Sequence, residues 1–145
     1  METCMRSVVL DVAPEKVFAF CTTRAGFLAH FPDPVREYRG AEQWEIGSEF
    51  WVDYRHLGLP MSWHGKITEL EPNRYFKDEM ISGLFRRWEH THTVEATSSG
   101  TKYTDTVEFS LGWGSLIDRF MVKPMLDTFF RRRHVLLRAA LGAQA

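Results

Sequence analysis

The feature that most constrains this chain is a change in the spacing of its apolar residues. From residue 35 to residue 111, apolar and polar side chains alternate with a period of two. After Gly112-Trp113-Gly114 the apolar residues recur at a helical period of 3.6. A period of two predicts β-strands, and a period of 3.6 predicts an amphipathic helix. We therefore expect consecutive strands followed by one long C-terminal helix.

Clusters of glycine, proline, asparagine and serine divide the first region into six segments. The connections between them are too short for parallel neighbours, which need a crossover of a dozen or more residues, so they predict antiparallel pairing. A further strand over residues 5–12 precedes two short helices, the first beginning at Pro14 and the second spanning residues 24–30. The six predicted strands cover residues 36–43, 48–56, 61–71, 74–82, 86–96 and 101–111.

The last helix is predicted over residues 115–141, ending at Gly142, with a bend at Pro124. It is the only element long enough to cover one face of a seven-stranded sheet. The predicted fold is a single α+β domain over residues 1–145, in which a curved antiparallel sheet wraps the C-terminal helix and leaves a pocket between them. Among the apolar residues at helical spacing, those assigned to the pocket side are Met121, Met125 and Phe129.

Charge and composition narrow the class of partner. The chain has 18 basic and 19 acidic residues and a net charge of −1. It therefore lacks the strong positive electrostatic potential of proteins that bind nucleic acids or anionic membranes. Its two cysteines, Cys4 and Cys21, form no zinc-binding spacing, and no stretch reaches the roughly 20 apolar residues of a membrane span. We expect a cytoplasmic protein without nucleic-acid partner, membrane insertion or cofactor. The sequence does not distinguish a monomer from a homodimer.

Strand alternation places a polar group among aromatic residues. In the strand over 86–96, His90 and His92 share a face with Trp88, and in the next strand Asp105 shares a face with Tyr103. A four-residue loop over 97–100 would set His92 opposite Asp105. A two-residue loop at Ser99-Gly100 would leave them diagonal but on the same face. Both registers point these side chains toward the helix.

The same alternation supplies the rest of a predicted pocket, closed at one end by Phe27 and Phe31. His90, His92 and Asp105 can anchor a ligand, act as acid–base groups, or form a structural hydrogen-bonded cluster. A metal site would need a third ligand, and none is assigned because His64 faces the other side and His56 is remote. The predicted ligand-contacting residues are Tyr54, Trp63, Asp78, Met80, Trp88, His90, His92, Tyr103, Asp105, Phe109, Met121 and Met125.

A basic run, Arg131-Arg132-Arg133-His134, lies near the end of the last helix. Cations are stabilised at a helix C-terminus by the backbone dipole, and four consecutive residues point in four directions. We therefore interpret this run mainly as helix-end charge, with a phosphate or acidic-partner site as the alternative.

The pattern G-x-F-x-x-W-x-H-x-H from Gly83 to His92, followed by G-T-x-x-x-D from Gly100 to Asp105, adds a family resemblance. With the element order, it resembles a bacterial subgroup of the SRPBCC superfamily (START, birch-pollen-allergen and polyketide cyclase/dehydrase-like proteins), which has the helix-grip fold. The resemblance implies a carrier or sensor that binds a small hydrophobic, ring-bearing molecule.

The same resemblance leaves two other classes open. One is an enzyme of the cyclase, aromatase or dehydratase kind, in which His90 or His92 moves protons and Asp105 orients the ring. The other is a domain that acts through a protein partner. Fold alone does not choose among the three.

Overall fold

One seven-stranded antiparallel sheet forms the body of the protein in the computed structural model, which describes residues 1–142. The strands are β1 (Glu2–Leu10), β2 (Val35–Gly40), β3 (Glu49–His56), β4 (Leu59–Glu71), β5 (Tyr75–Ser82), β6 (Arg87–Ala96) and β7 (Thr101–Ser110). Their order across the sheet is β1-β7-β6-β5-β4-β3-β2. The first strand therefore pairs with the last, and the intervening strands follow the chain as hairpins.

Two short helices, α1 (Pro14–Cys21) and α2 (Arg24–His30), connect β1 to β2. The C-terminal helix begins as a single turn, α3 (Ser115–Ile117), continues as a π-helical turn over Asp118–Val122, and ends as α4 (Lys123–Gly142). Pro124 has no N–H to donate to the carbonyl four residues earlier. The irregularity expected at Pro124 thus takes the form of a widened turn directly before it. None of the helices in this part of the chain is long and apolar enough to cross a membrane.

The structure confirms the predicted fold class, including the sheet, the two short helices after β1 and the long C-terminal helix. It also settles the β6–β7 hairpin in favour of the four-residue loop, because Ala96 pairs with Thr101 and His92 pairs with Asp105. The strand β1 begins at Glu2, earlier than predicted, since its first residues pair with the end of β7. The alternation of buried residues along β6 and β7 follows from this register.

The helix face that packs on the sheet differs from the predicted one. The buried residues of α4 are Leu126, Phe130, Arg133, His134, Leu137 and Leu141. Met121 and Met125, which were assigned to the pocket side, are 65% and 52% exposed; Met125 lines the outer of the two cavities described below, and Met121 lines neither. The sequence holds neighbouring apolar pairs at 121–122, 125–126 and 129–130, so its period was compatible with two faces one residue apart. The buried face is the later member of each pair.

Candidate functional site

Two adjoining cavities lie between the concave face of the sheet and α4. The inner chamber has a volume of about 20 Å³, and the outer pocket, which opens more widely to solvent, has a volume of about 60 Å³. The inner chamber is lined by Phe27, Phe31, Trp44, Phe50, Val52, Trp63, Asp78, Trp88, His90, His92, Phe129 and Arg133. The outer pocket is lined by Asp33, Tyr54, His56, Met61, Trp63, Leu84, Phe85, Trp88, Met125, Leu126 and Phe129.

Three aromatic side chains belong to both cavities and separate them: Trp63, Trp88 and Phe129. The two indole rings meet edge to face, with centroids 4.7 Å apart. Phe129 comes from α4, is half-buried, and contacts Phe31 at a centroid distance of 5.8 Å. The partition is therefore one ring from the helix set against two rings from the sheet.

The polar part of the site is built by strand register. Asp78 of β5 lies opposite His90 of β6, and His92 lies opposite Asp105 of β7. Asp105 accepts hydrogen bonds from His90 Nε2 at 2.7 Å and from His134 Nε2 of α4 at 2.6 Å. All five residues are buried. The carboxylate of Asp105 thus ties the centre of the sheet to the helix.

His92 occupies the middle of this network. Its Nε2 lies 2.7 Å from Asp78 Oδ2, and its Nδ1 lies 2.7 Å from the Tyr103 hydroxyl and 3.2 Å from Asp105 Oδ1. Both ring nitrogens therefore face an acceptor oxygen. Burial lowers the pKa of His92, but the hydrogen bonds to Asp105 and Asp78 outweigh it and raise the pKa above its ordinary value. We assign His92 as the protonated member of the cluster.

The groups around His92 differ in their charge at pH 7. Burial, followed by the charge of His92, lowers the pKa of His90 to about 4, so His90 is neutral at pH 7. Burial opposes ionisation of Asp105, yet the hydrogen bonds from His134 and His90 hold its pKa well below the usual range. The pKa of Asp78 is also lowered, because the effects of His90 and His92 exceed that of burial. Both carboxylates are therefore ionised.

Asp78, His90 and His92 also form the only trio within residues 1–142 whose ligand atoms lie close enough to hold a metal ion, within 4.8 Å of one another. The two imidazole rings, however, are stacked, with centroids 3.7 Å apart and planes inclined by 26°. An ion bound at about 2.0–2.1 Å lies in the plane of each ligating ring, which two nearly parallel rings cannot share without turning. The arrangement is better described as a hydrogen-bonded ion cluster.

Arg133 and His134 were missed as site residues because the basic run was interpreted as helix-end charge. Both are buried, at 5% and 4% exposure, and Arg133 lines the inner chamber. The available signal was their spacing, since they continue the series of Leu126, Phe130 and Leu137 on one helix face. The charge of Arg133 and that of protonated His92 balance the two carboxylates.

The structure separates the predicted ligand-contacting residues into groups. Those at the inner chamber are Trp63, Asp78, Trp88, His90 and His92, and those added by the outer pocket are Tyr54 and Met125. Tyr103, Asp105 and Phe109 are fully buried behind the chamber and do not line it. Met80 packs in the hydrophobic cluster around Trp88, and Met121 lies outside both cavities on the exposed side of the helix.

Solved structures share this fold at low sequence identity. The protein MLL2253 from Mesorhizobium loti superposes with a TM-score of 0.77 at 14% identity, covering 99% of each chain. Ginseng major latex-like protein 151 from Panax ginseng gives 0.74 at 12% identity and 96% coverage of each chain. The protein Ara h 8.0201 gives 0.68 at 15% identity, covering 95% of this chain and 98% of that one. These likenesses confirm the helix-grip fold.

The sequence also matches a protein family. A family described as Domain of unknown function (DUF8410) matches residues 48–141, which run from the start of β3 through the cavity walls to the end of α4. No curated protein matches the chain.

Proposed function

Since the chain belongs to the DUF8410 family, whose description names no activity, we propose a function from the geometry of its cavities: the protein binds a small hydrophobic, ring-bearing molecule with a polar end. The observation that carries the proposal is that an apolar outer pocket directly adjoins an inner chamber lined by charged side chains. The ring would occupy the outer pocket, and the polar end would pass between Trp63, Trp88 and Phe129. Sites of this kind, mostly apolar with a few convergent polar groups, are typical of small-molecule binding.

The volumes of the two cavities show that side chains must move before a ligand can bind. A chamber of about 20 Å³ holds one water molecule, so a ring-bearing ligand has to displace side chains. Phe129 is the side chain placed to move, because it is half-buried and sits in both cavities. Met61 and Met125 beside it are flexible and adapt to irregular shapes. Rotation of Phe129 would join the two cavities into one.

Binding accounts for the polar cluster better than acid–base catalysis does. Asp105 holds His90 by its Nε2–H, which leaves Nδ1 as a proton acceptor at the chamber wall. A pKa of about 4 makes that nitrogen a weak base at neutral pH, whereas an efficient general base titrates near the working pH. We therefore assign His90 as a neutral polar group of the chamber wall and not as a general base.

The neutral fluorophore N-phenyl-1-naphthylamine should bind saturably with a stoichiometry of one and quench tryptophan emission, because Trp63 and Trp88 line both cavities. Phe129→Ala should tighten this binding about tenfold, since the ring no longer has to be displaced. Fluorescence titration measures both the affinity and the quenching.

Phe120→Ala is the matched control, because Phe120 lies on the same helix but is 68% exposed. It should leave the affinity unchanged. If neither the natural protein nor Phe129→Ala binds the fluorophore saturably, or if Phe120→Ala changes binding as much as Phe129→Ala, the proposed binding function is wrong.

A further inference from the structure

We infer that the polar end of the ligand is a carboxylate held by Arg133, so that the ligand class is a hydrophobic monocarboxylate with a ring-bearing body. This inference rests on the proposed binding function and specifies it. Three observations support it: the hydrogen-bonding atoms left without partners at the inner chamber, the position of the Arg133 guanidinium, and the charge balance of the polar cluster.

The inner chamber is lined by buried donors that have no acceptor. Arg133 Nε, Trp63 Nε1 and Trp88 Nε1 are buried and make no hydrogen bond with any residue in the range 1–142. Guanidinium and indole nitrogens only donate hydrogen bonds. A buried donor without an acceptor destabilises the folded protein, so each such donor in a native structure needs an explanation, for example a bound acceptor. A carboxylate supplies two acceptor oxygens.

The guanidinium of Arg133 is positioned rather than paired. Its central carbon lies 5.7 Å from the ring centroid of Phe27 and 6.0 Å from that of Phe130, so aromatic rings support it. No carboxylate of residues 1–142 forms an ion pair with it, although Arg132 next to it lies 3.5 Å from Asp33. Guanidinium and carboxylate groups match in a planar, two-point geometry. Arg133 is therefore a preformed carboxylate site.

The charges around the chamber disfavour a ligand that carries two negative charges. Asp78 and Asp105 are balanced in total by His92 and Arg133, so each negative charge of the ligand adds to a cluster that is neutral without it. Asp78 also lines the chamber and would repel an anion, but its Oδ2 is bound to His92 at 2.7 Å. A phosphate would bring close to two charges and three acceptor oxygens into the same small space. A carboxylate has one charge, so its burial in the chamber costs less free energy than that of a phosphate.

The test compares two probes that differ only at the polar end: 2-naphthoate, which carries a carboxylate, and 2-naphthamide, which is neutral. Titration calorimetry at pH 7 should show that the protein binds 2-naphthoate about tenfold or more tightly than 2-naphthamide, as expected for a charge-assisted hydrogen bond in a buried site. Arg133→Met, which keeps an unbranched apolar stem and removes the guanidinium and its charge, should abolish the preference while leaving 2-naphthamide binding within about twofold. Arg133→Lys should keep part of the preference.

Arg131→Met is the matched control, since Arg131 is exposed on the same helix; it should leave the preference intact. Circular dichroism and thermal unfolding establish that each variant is folded. If the natural protein binds both probes equally, the carboxylate assignment is wrong while the binding function stands. A preference that survives Arg133→Met, or one lost in Arg131→Met, would equally overturn it. If neither probe binds, the proposed binding function fails with it.

Discussion

Replacing Asp105 by alanine is expected to lower the free energy of unfolding by about 3–5 kcal/mol, the range for breaking a buried charge network by removing one partner. Asp105 is 1% exposed and accepts hydrogen bonds from His90 and His134. Its loss leaves both N–H groups without an acceptor and the charge on His92 without one of its carboxylates. Urea denaturation at pH 7 measures the effect.

Two further variants separate the network from simple loss of charge. Asp105→Asn keeps the shape but can place only one acceptor oxygen, so it should be destabilised by an intermediate amount. Glu108→Gln removes a carboxylate from the exposed face of the same strand and should change stability by less than about 0.5 kcal/mol. A loss below about 1 kcal/mol for Asp105→Ala would contradict the account of the cluster.

The second large effect is a loss of stability on mild acidification. The ordinary pKa of histidine is 6.5, and that of His90 in the folded protein is lowered to about 4. Between pH 6.5 and 4 the unfolded chain therefore binds a proton that the folded chain does not, so stability falls as the pH falls through this window. The loss amounts to about 3 kcal/mol for His90. The pKa of His30, lowered well below 6.5 by burial and by the charge of Arg133, acts in the same direction.

The other members of the cluster change the stability at pH values above and below this range. The raised pKa of His92 gives stability that is present below pH 6.5 and is lost as the pH rises through its folded value. The lowered pKa values of Asp78 and Asp105 give stability that is lost only as the pH falls below about 4. We therefore expect a stability maximum above pH 6.5, where His90 and His30 no longer bind protons in the unfolded chain and His92 is still protonated in the folded one.

His90→Gln tests the assignment, because a glutamine amide can donate to Asp105 from nearly the position of Nε2 and does not titrate. Urea denaturation between pH 4.5 and 7.5 should show a flatter acid side for this variant. His64→Gln is the control: His64 Nε2 also lies 2.9 Å from a carboxylate, that of Glu49, but the pair is partly exposed. If His90→Gln loses stability with pH as steeply as the natural protein, the titration of His90 is not the cause.

The sequence predicted the sheet and its inward face because both depend on strand alternation, which the chain keeps over β6 and β7. Alternation predicted that His92 and Asp105 share a face, and the structure settles the loop length that sets them directly opposite. Trp63, Trp88 and His90 line the inner chamber, on the face that alternation assigned to them. These inferences needed only the direction of each side chain relative to its own strand.

The same reasoning could not predict which face of the C-terminal helix packs on the sheet. Neighbouring apolar residues such as Met125 and Leu126 made two faces equivalent, and the charge of Arg133 argued for the surface. The buried face is determined by a tertiary contact, the hydrogen bond from His134 of the helix to Asp105 of the sheet. That Arg133 forms no ion pair with any carboxylate of residues 1–142 is likewise a property of three-dimensional packing and has no signature along the chain.

The most direct test of the binding site is the nuclear magnetic resonance signal of the indole N–H groups during titration with 2-naphthoate. The chain has five tryptophans, and Trp113, which is 75% exposed, provides an internal reference. We predict that the signals of Trp63 and Trp88 move downfield as their free N–H groups gain an acceptor, while that of Trp113 stays in place. Saturable shifts confined to Trp113 or Trp51, with Trp63 and Trp88 unchanged, would contradict a ligand site between the sheet and α4.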